Sequence, residues 1–264
     1  MVVKLSIVVT CFNDSKLFYE NNDDILQDIS DRIDLELLVI NTFGRNTNIH
    51  SKFLELIASS DNIHLFSTKF KSRQGIGRNI GLDECTGEYI WFIDSDDIFV
   101  IPNKDVLKKI KADFVSTNYV MRLSKGETKQ KTNGSNGLDT ESFLFMLSTN
   151  RVSNACWPYF YSVRSLKDSN IKFKDVFFED MIFNAEVLGS HNNSYQHIST
   201  CLYDFQYMAG STSRQKTFSK IRDRWIAVWH VLKVIASYNS LNRRKKTAII
   251  ILYFLYHGIW LTIR

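Results

Sequence analysis

Three aspartates follow directly on a short apolar segment, and their types and spacing predict a site for a divalent cation. Residues 89–93 are five consecutive apolar residues, a run typical of a buried strand. Asp94, Asp96 and Asp97 come next. Because unpaired carboxylates are costly to bury, we expect them at the carboxyl edge of a sheet, where open α/β sheets bind ligands. Asp94 and Asp96 point the same way in extended backbone, and Mg²⁺ or Mn²⁺ uses such carboxylates together with phosphate oxygens.

The same aspartates have a simpler interpretation as a solvated turn, which an isolated Asp-x-Asp sequence would favour. Their position after an apolar strand favours the metal and phosphate site instead. An EF-hand loop is excluded because Ile98 and Phe99 stand where that loop requires an acidic residue and a glycine. A nicotinamide site is not favoured, since the glycine-rich segment 75–81 misses the Rossmann spacing and follows polar residues rather than a strand.

Strand and helix patterns alternate through the first hundred residues, which favours parallel βαβ units. Apolar runs predict buried strands, helical spacing predicts helices between them, and a further strand and helix pattern continues to about residue 215. The predicted strands are 5–9, 35–40, 63–66, 89–93, 114–123 and 200–207, and the predicted helices include 16–33, 51–60, 74–84 and 179–188. Segment 124–137 is predicted to be a loop, and segment 154–166 to be irregular.

Length and composition indicate a globular chain with a neutral-to-acidic body and a basic tail. The 264 residues are 44% apolar and 23% charged. Four scattered cysteines without a Cys-x-x-Cys pair favour reduced thiols in the cytosol, and the N-terminal sequence lacks the pattern of a secretory signal. From Arg214 onward eleven basic residues face one acidic residue, Asp223, whereas the rest of the chain carries a net charge of −5.

Three sequence blocks together resemble the inverting glycosyltransferase family 2, which includes many bacterial polysaccharide synthases. The first block is Ser-Ile-Val-Val-Thr-Cys-Phe-Asn at 6–13. The second joins Gly-Arg-Asn-Ile-Gly at 77–81 to Gly-Glu-Tyr-Ile-Trp-Phe-Ile-Asp-Ser-Asp-Asp at 87–97, and the third is Phe-Glu-Asp-Met-Ile-Phe at 178–183. The resemblance implies an α/β GT-A fold, Rossmann-like, with a mostly parallel central sheet and flanking helices. It implies a catalytic domain over 1–215, with a nucleotide-binding half at 1–100 and an acceptor half at 101–215, followed by a basic amphipathic helical tail at 216–264.

The resemblance also implies a role for individual residues. Asp180 is expected to be the general base, and Glu179 to orient it or contact the acceptor together with Trp157. Asp96 is expected to bind Mn²⁺ or Mg²⁺ directly, with Asp94 near the ribose or the cation. The expected donor-binding residues are Thr10, Phe12, Asn13, Asn41, Arg78, Asp94, Ser95, Asp96 and Arg214.

Several of these residues have alternatives that the sequence leaves open. Relatives carry an aspartate that reads uracil where this chain has Asn41, so the identity of the base is open, with UDP as the first choice. Phe12 and Trp157 equally suit core packing. Acidic residues in a first helical turn, such as Glu179 and Asp180, commonly complement the helix dipole.

The function expected from the resemblance is metal-dependent, inverting transfer of a sugar from a nucleotide-sugar to a hydroxyl of a glycan or lipid-linked acceptor in surface-polysaccharide synthesis. One alternative is a nucleotidyltransferase-like α/β enzyme, which would release pyrophosphate. Another is a catalytically degenerate binding or scaffold subunit. We expect no nucleic-acid partner, because no recognised binding module accompanies the basic charge, and a homo-oligomer remains open.

The basic tail ends in an apolar run at 248–263 that is shorter than the roughly 20 residues of a membrane-spanning helix. Basic residues 243–246 precede it, which favours an interfacial helix on an anionic membrane surface. The tail, from residue 217 to 263, is therefore predicted to contact the inner face of the plasma membrane, with the enzyme in the cytoplasm. The alternative is a helix pair that packs on the catalytic core or on another subunit.

Overall fold

The computed structural model describes residues 4–12, 15–44, 51–123, 127–190, 194–206, 217–237, 243–255 and 257. Within these residues, the apolar segments form strands and the amphipathic segments form helices. The strands are β1 Leu5–Cys11, β2 Leu35–Asn41, β3 Ile63–Ser67, β4 Tyr89–Asp94, β5 Ile98–Phe99, β6 Phe114–Arg122, β7 Thr128–Lys131, β8 Tyr159–Ser162 and β9 Tyr195–Gln206. The helices are α1 Ser15–Ser30, α2 Ser51–Ser59, α3 Gln74–Glu84, α4 Lys104–Lys109, α5 Thr140–Ser148, α6 Val163–Asp168, α7 Glu179–Gly189, α8 Phe218–Ser237 and α9 Arg243–Tyr253.

The first half of the sheet is parallel, in the order β3-β2-β1-β4. All seven residues of β1 and of β2 are buried, as expected for parallel strands covered on both faces. The chain passes from β3 at one edge to β4 on the far side of β1. The direction of winding therefore reverses between β1 and β4, and open α/β sheets bind ligands at such a switch point.

The second half of the sheet is mixed. β8 runs antiparallel to both β4 and β6, β9 runs parallel to β6, and the short strands β5 and β7 pair antiparallel with β9 and β6. β8 lies within the segment predicted to be irregular, and the exposed strand β7 lies within the predicted loop. Both strands are only four residues long, which is too short to show an alternating pattern in the sequence. Pairing with β6 stabilises both of them.

Successive residues of the strands point to opposite faces of the sheet, and each face has its own apolar core. Val8, Ile90 and Phe92 belong to the core that α3, α7 and α8 cover. Ile7 and Trp91 belong to the other core, which includes residues of α1, α2 and α4.

The C-terminal helices pack against one face of the α/β body. Val228, Val231 and Ile235 of α8 are buried in the same core as Phe92. At Gly189 of α7 an added Cβ would lie 2.4 Å from Val234 Cγ1, so the two helices are in close contact. The inner face of the basic tail thus matches the alternative of a helix pair on the core. In the described part of the chain, no helix combines the length and the apolarity that crossing a membrane requires.

Candidate functional site

Three neighbouring strands end together at the switch point and bring predicted site residues to one edge. Thr10 of β1 lies opposite Asp94 of β4, and Cys11 lies opposite Asn41 of β2. Thr10 and Asn41 are buried, whereas Asp94 is half-buried. The parallel register therefore places the end of the first sequence block beside the aspartates of the second.

Helix α3 brings Arg78 to this edge because glycines let the helix approach the sheet closely. A Cβ added at Gly81 would lie 2.4 Å from Val8 Cγ1, and one added at Gly77 would lie 2.6 Å from Thr42 Cγ2. These two glycines are one helical turn apart and share the face that contacts the strands. The side chain of Arg78 is only 1% exposed.

Arg78 joins the second and third sequence blocks through one guanidinium. Its Nη2 donates to Asp94 Oδ1 at 2.8 Å, and its Nη1 donates to Glu179 Oε1 at 2.6 Å and to Asp180 Oδ1 at 2.7 Å. The backbone N–H of Cys156 also donates to Asp180 Oδ2, at 3.4 Å. The aspartate strand and the acidic start of α7 therefore meet around a single buried cation.

The protonation of this cluster follows from burial and from the excess of carboxylates. Burial raises the pKa of Glu179 to about 7, with a further increase from Asp180 and a partial decrease from Arg78. Burial also raises the pKa of Asp180, and Arg78 opposes that rise. Burial disfavours charge on Arg78 itself, but the surrounding carboxylates outweigh it and raise the Arg78 pKa well above its usual value. Arg78 therefore keeps its positive charge, and that one charge only partly offsets the negative charges of Glu179 and Asp180.

Two residues of β9 bind the carboxylate of Asp97, a contact that the sequence did not predict. The hydroxyl of Tyr203 donates to Asp97 Oδ2 at 2.6 Å, and the N–H of Gln206 donates to Oδ1 at 2.7 Å. Tyr203 also accepts from the N–H of Asp94, at 3.3 Å. Burial and the nearby Asp94 raise the pKa of Asp97 to about 8. Asp97 therefore fixes the turn that carries Asp94 and Asp96. The sequence did not indicate that Tyr203 contacts this turn, because Tyr203 lies more than a hundred residues away.

The aromatic side chain at the tip of β1 remains accessible. Phe12 is 40% exposed and meets the edge of Phe43 at 5.2 Å between centroids, while Lys71 Nζ lies 4.8 Å from the Phe12 centroid. Its exposure keeps the expected stacking role open. Thr10 Oγ1 is buried at this edge and has no hydrogen-bond partner within the described residues.

Asn41 and Trp157 are engaged in ways that differ from their expected roles. The amide of Asn41 donates to the carbonyl of Gly44 at 2.9 Å and accepts from the N–H of Phe43 at 3.0 Å, so it shapes its own loop. Trp157 is 6% exposed and stacks on Tyr203 with centroids 4.5 Å apart. The structure places Trp157 in the core.

The remaining predicted site residues are placed as follows. Ser95 is buried and Asp96 is half-buried in the turn after β4. The predicted donor-binding residues Asn13 and Arg214 lie outside the described residues. Among the residues that the structure describes, no group of three or more His, Cys, Asp or Glu side chains is arranged to hold a metal ion.

Comparison with solved structures identifies the fold. S. aureus TarS 1-349 in complex with UDP-GlcNAc aligns with a TM-score of 0.73 at 18% identity, over 97% of this chain and 73% of that one. The longer crystallised chain of S. aureus TarS aligns with a TM-score of 0.71 at 17% identity, over 97% of this chain and 44% of that one. The mannosyltransferase PcManGT from Pyrobaculum calidifontis, in complex with GDP-Man and Mn²⁺, aligns with a TM-score of 0.55 at 14% identity, over 98% of this chain and 71% of that one. The expected GT-A fold is confirmed.

Sequence comparison gives the family. No curated protein matches this chain significantly. The family model described as glycosyl transferase family 2 matches residues 6–168, which is more than half of the chain. That range includes β1, α3 and the aspartates after β4, the elements that meet at the switch point. The chain therefore belongs to glycosyl transferase family 2 and is a glycosyltransferase.

Proposed function

We propose that this enzyme transfers a sugar from a nucleotide-sugar, with a UDP-sugar as the first candidate, to a hydroxyl of a glycan or lipid-linked acceptor in surface-polysaccharide synthesis. The observation that carries the proposal is the contact of Arg78 with both Asp94 and Asp180, at 2.8 and 2.7 Å. This contact connects the end of β4, where we propose that the diphosphate binds, to the acidic start of α7. The bound UDP-GlcNAc in TarS and GDP-Man in PcManGT, on the same fold, support this donor class.

Asp180 is the proposed general base. Its Oδ atom accepts the proton of the acceptor hydroxyl while that oxygen attacks the anomeric carbon, and the bond from that carbon to the diphosphate breaks on the opposite side, which inverts the configuration. A base works best with a pKa near the working pH, and burial moves the pKa of Asp180 upward from its usual value. Arg78 and the N–H of Cys156 hold the carboxylate in place.

The donor set at the end of β4 fits Mn²⁺ or Mg²⁺. Mg²⁺ commonly uses one or two carboxylates and takes its other oxygens from phosphates and water. Asp94 and Asp96 supply two carboxylates at the switch point, and the buried, unpartnered Thr10 Oγ1 lies on the neighbouring strand. Asp96 would hold the ion with Asp94 beside it. When bound, the ion supplies positive charge that stabilises the departing diphosphate.

The test combines ligand binding with product analysis. Wild-type protein is screened by thermal shift against nucleotide-sugars with and without Mn²⁺, because a ligand that binds the folded state raises the melting temperature by mass action. Release of nucleoside diphosphate supports the proposal, whereas release of pyrophosphate indicates nucleotidyl transfer. Binding without any turnover indicates a degenerate binding subunit.

Variants then separate the base from the cation site. Asp180→Asn is expected to lower kcat by about 10²–10⁴-fold with donor binding retained, and Asp96→Asn to weaken the Mn²⁺-dependent shift. Asp105→Asn is the matched control, since that side chain on α4 is 83% exposed. Unchanged turnover in Asp180→Asn would refute the assignment of the base.

We further propose that the outer face of α8 and α9 contacts an anionic membrane surface on the cytoplasmic side. Phe218, Trp225 and Trp229 recur at helical spacing on α8 and are 85%, 36% and 60% exposed. The single acidic residue after position 214, Asp223, is fully buried, so this face presents only basic charge to its surroundings. Exposed aromatic side chains flanked by basic ones are typical of interfacial helices.

Vesicle co-sedimentation tests this surface. Binding to phosphatidylglycerol vesicles is expected to exceed binding to phosphatidylcholine vesicles and to fall in a Trp225→Ser/Trp229→Ser variant. Equal recovery in both vesicle pellets, or a concentration-dependent dimer that the same variant abolishes, would contradict membrane contact.

A further inference from the structure

The start of α7 depends on contacts from outside that helix. Phe178, the residue before Glu179, has left-handed backbone angles of φ 65° and ψ 29° and provides no side-chain cap. A non-glycine residue keeps such a conformation only when its surroundings enforce it. The acidic pair is therefore placed by whatever holds the segment just before it.

Helix α8 holds that segment through Asp223. The N–H of Phe177 donates to Asp223 Oδ2 at 3.1 Å, and the guanidinium of Arg224 lies 4.1 Å from the ring centroid of Phe178. Asp223 is fully buried. One carboxylate and one cation of the C-terminal extension thus contact the two residues that precede Glu179.

The same carboxylate also holds the start of α3, the helix that carries Arg78. Arg73 is the residue before the first turn of α3, and its Nη1 donates to Asp223 Oδ2 at 2.7 Å and to the carbonyl of Asp175 at 3.1 Å. Asp223 therefore binds Arg73, five positions before Arg78, and Phe177, two positions before Glu179. It connects the two elements whose side chains must meet in the site.

We propose that Asp223 is a positioning residue for sugar transfer, which fixes α7 relative to α3 and thereby holds Asp180 against Arg78. The proposal rests on the assignment of Asp180 as the base in the proposed function. It gives the C-terminal extension a part in the reaction, although no residue of α8 is expected to touch the donor. Misplacement of a reacting group by about 1 Å can cost about 10²-fold in rate.

Two substitutions interrupt this connection at either end. Asp223→Asn keeps the shape of the side chain but removes the charge that binds Arg73, and Arg73→Gln removes the cation. Each is expected to lower kcat by about 10- to 100-fold while the donor dissociation constant changes by less than about twofold. The double variant should lose less than the product of the two single effects, because both substitutions remove the same contact between Arg73 and Asp223.

The pH profile distinguishes positioning from a loss of stability alone. Arg78 lowers the pKa of Asp180, so loosening their contact is expected to move the acidic limb of the kcat/KM profile to higher pH. Asp83→Asn is the matched control. It breaks the exposed ion pair between Lys172 and Asp83, at 2.7 Å, which joins α3 to the same segment at the surface, and it should leave kcat and the profile unchanged.

Amide hydrogen exchange provides a readout that does not need turnover. Exchange over residues 177–183 should be faster in Asp223→Asn and Arg73→Gln than in Asp83→Asn. If wild-type protein releases no nucleoside diphosphate, the proposed function fails while this measurement still tests the connection. If the wild type turns over and both variants, folded at the assay temperature, keep its kcat, pH limb and exchange rates, the positioning role is refuted. Loss of donor affinity with an unchanged kcat would also refute it.

Discussion

Replacing Arg78 with methionine should destabilise the protein in a way that depends on pH. The substitution keeps the length of the side chain but removes a buried cation that contacts Asp94, Glu179 and Asp180 at 2.8, 2.6 and 2.7 Å. Breaking a buried ion pair costs about 3–5 kcal/mol because it leaves uncompensated charge. At pH 8 we expect a loss of about that size in the free energy of unfolding, and no more, since the carboxyls can take up protons instead.

The pH dependence follows from which acids bind a proton in the folded state. The pKa of Glu179 is already raised to about 7 in the wild type, and Arg78 partly lowers it, so the variant should raise it further. A raised pKa means that the folded state binds more protons than the unfolded state, and stability falls as pH rises through that window. Stability should fall more steeply with rising pH in the variant than in the wild type. The difference in free energy of unfolding between the two proteins should therefore be about 1–2 kcal/mol smaller at pH 6 than at pH 8.

Urea unfolding at pH 6, 7 and 8 in the absence of nucleotide measures this difference. Arg164→Met is the control, because that side chain is 90% exposed and its pair with Asp168 lies at the surface. It should cost less than about 1 kcal/mol at every pH. A loss below about 1 kcal/mol for Arg78→Met at pH 8, or a loss that grows as the pH falls, would refute the account of Arg78 as the neutralising centre of the cluster.

Two further substitutions test the surroundings of the cluster. Gly81→Ala should cost about 1–3 kcal/mol in urea unfolding, because its Cβ would lie 2.4 Å from Val8 Cγ1. Val8→Ala should destabilise the Gly81→Ala variant less than it destabilises the wild type, because it removes the clashing methyl groups. A gain in stability from Gly81→Ala would contradict the close packing of α3. Asp97→Asn should become less destabilising relative to wild type as the pH rises from about 4 to about 8, by at most about 1.4 kcal/mol per pH unit. The reason is that the raised pKa of Asp97 makes its ionised form unfavourable in the folded wild type. A constant difference in stability between the two proteins over that range would exclude the pKa shift.

The first half of the sheet was predictable because its signals are local. The buried strands β1, β2 and β4 are continuous apolar runs, and the intervening helices show their own period. The turn after β4 was predictable for the same reason, since carboxylates cannot follow an apolar run into a core. Recognition of the family, the fold class and the enzyme class from these blocks is confirmed.

The second half was harder to predict because its strands depend on distant partners. β8 pairs with β4 and β6 across more than forty residues, and four residues cannot establish a period. Trp157 suited a sugar-binding wall and a core equally well on sequence, which could not show its stack on Tyr203. For the tail, the sequence showed basic charge and an apolar face, but not that Asp223 is buried against Arg73.

By itself, the sequence determined that this chain has a parallel α/β half, an acidic turn at the end of a strand and a second acidic pair at the start of a helix. Each of these features is a property of neighbouring residues. Only the tertiary structure decided that Arg78 lies between the two acidic groups and that Asp223 connects the helices which bear them. Those contacts join residues 16 to 150 positions apart, and their geometry depends on how closely α3, α7 and α8 pack.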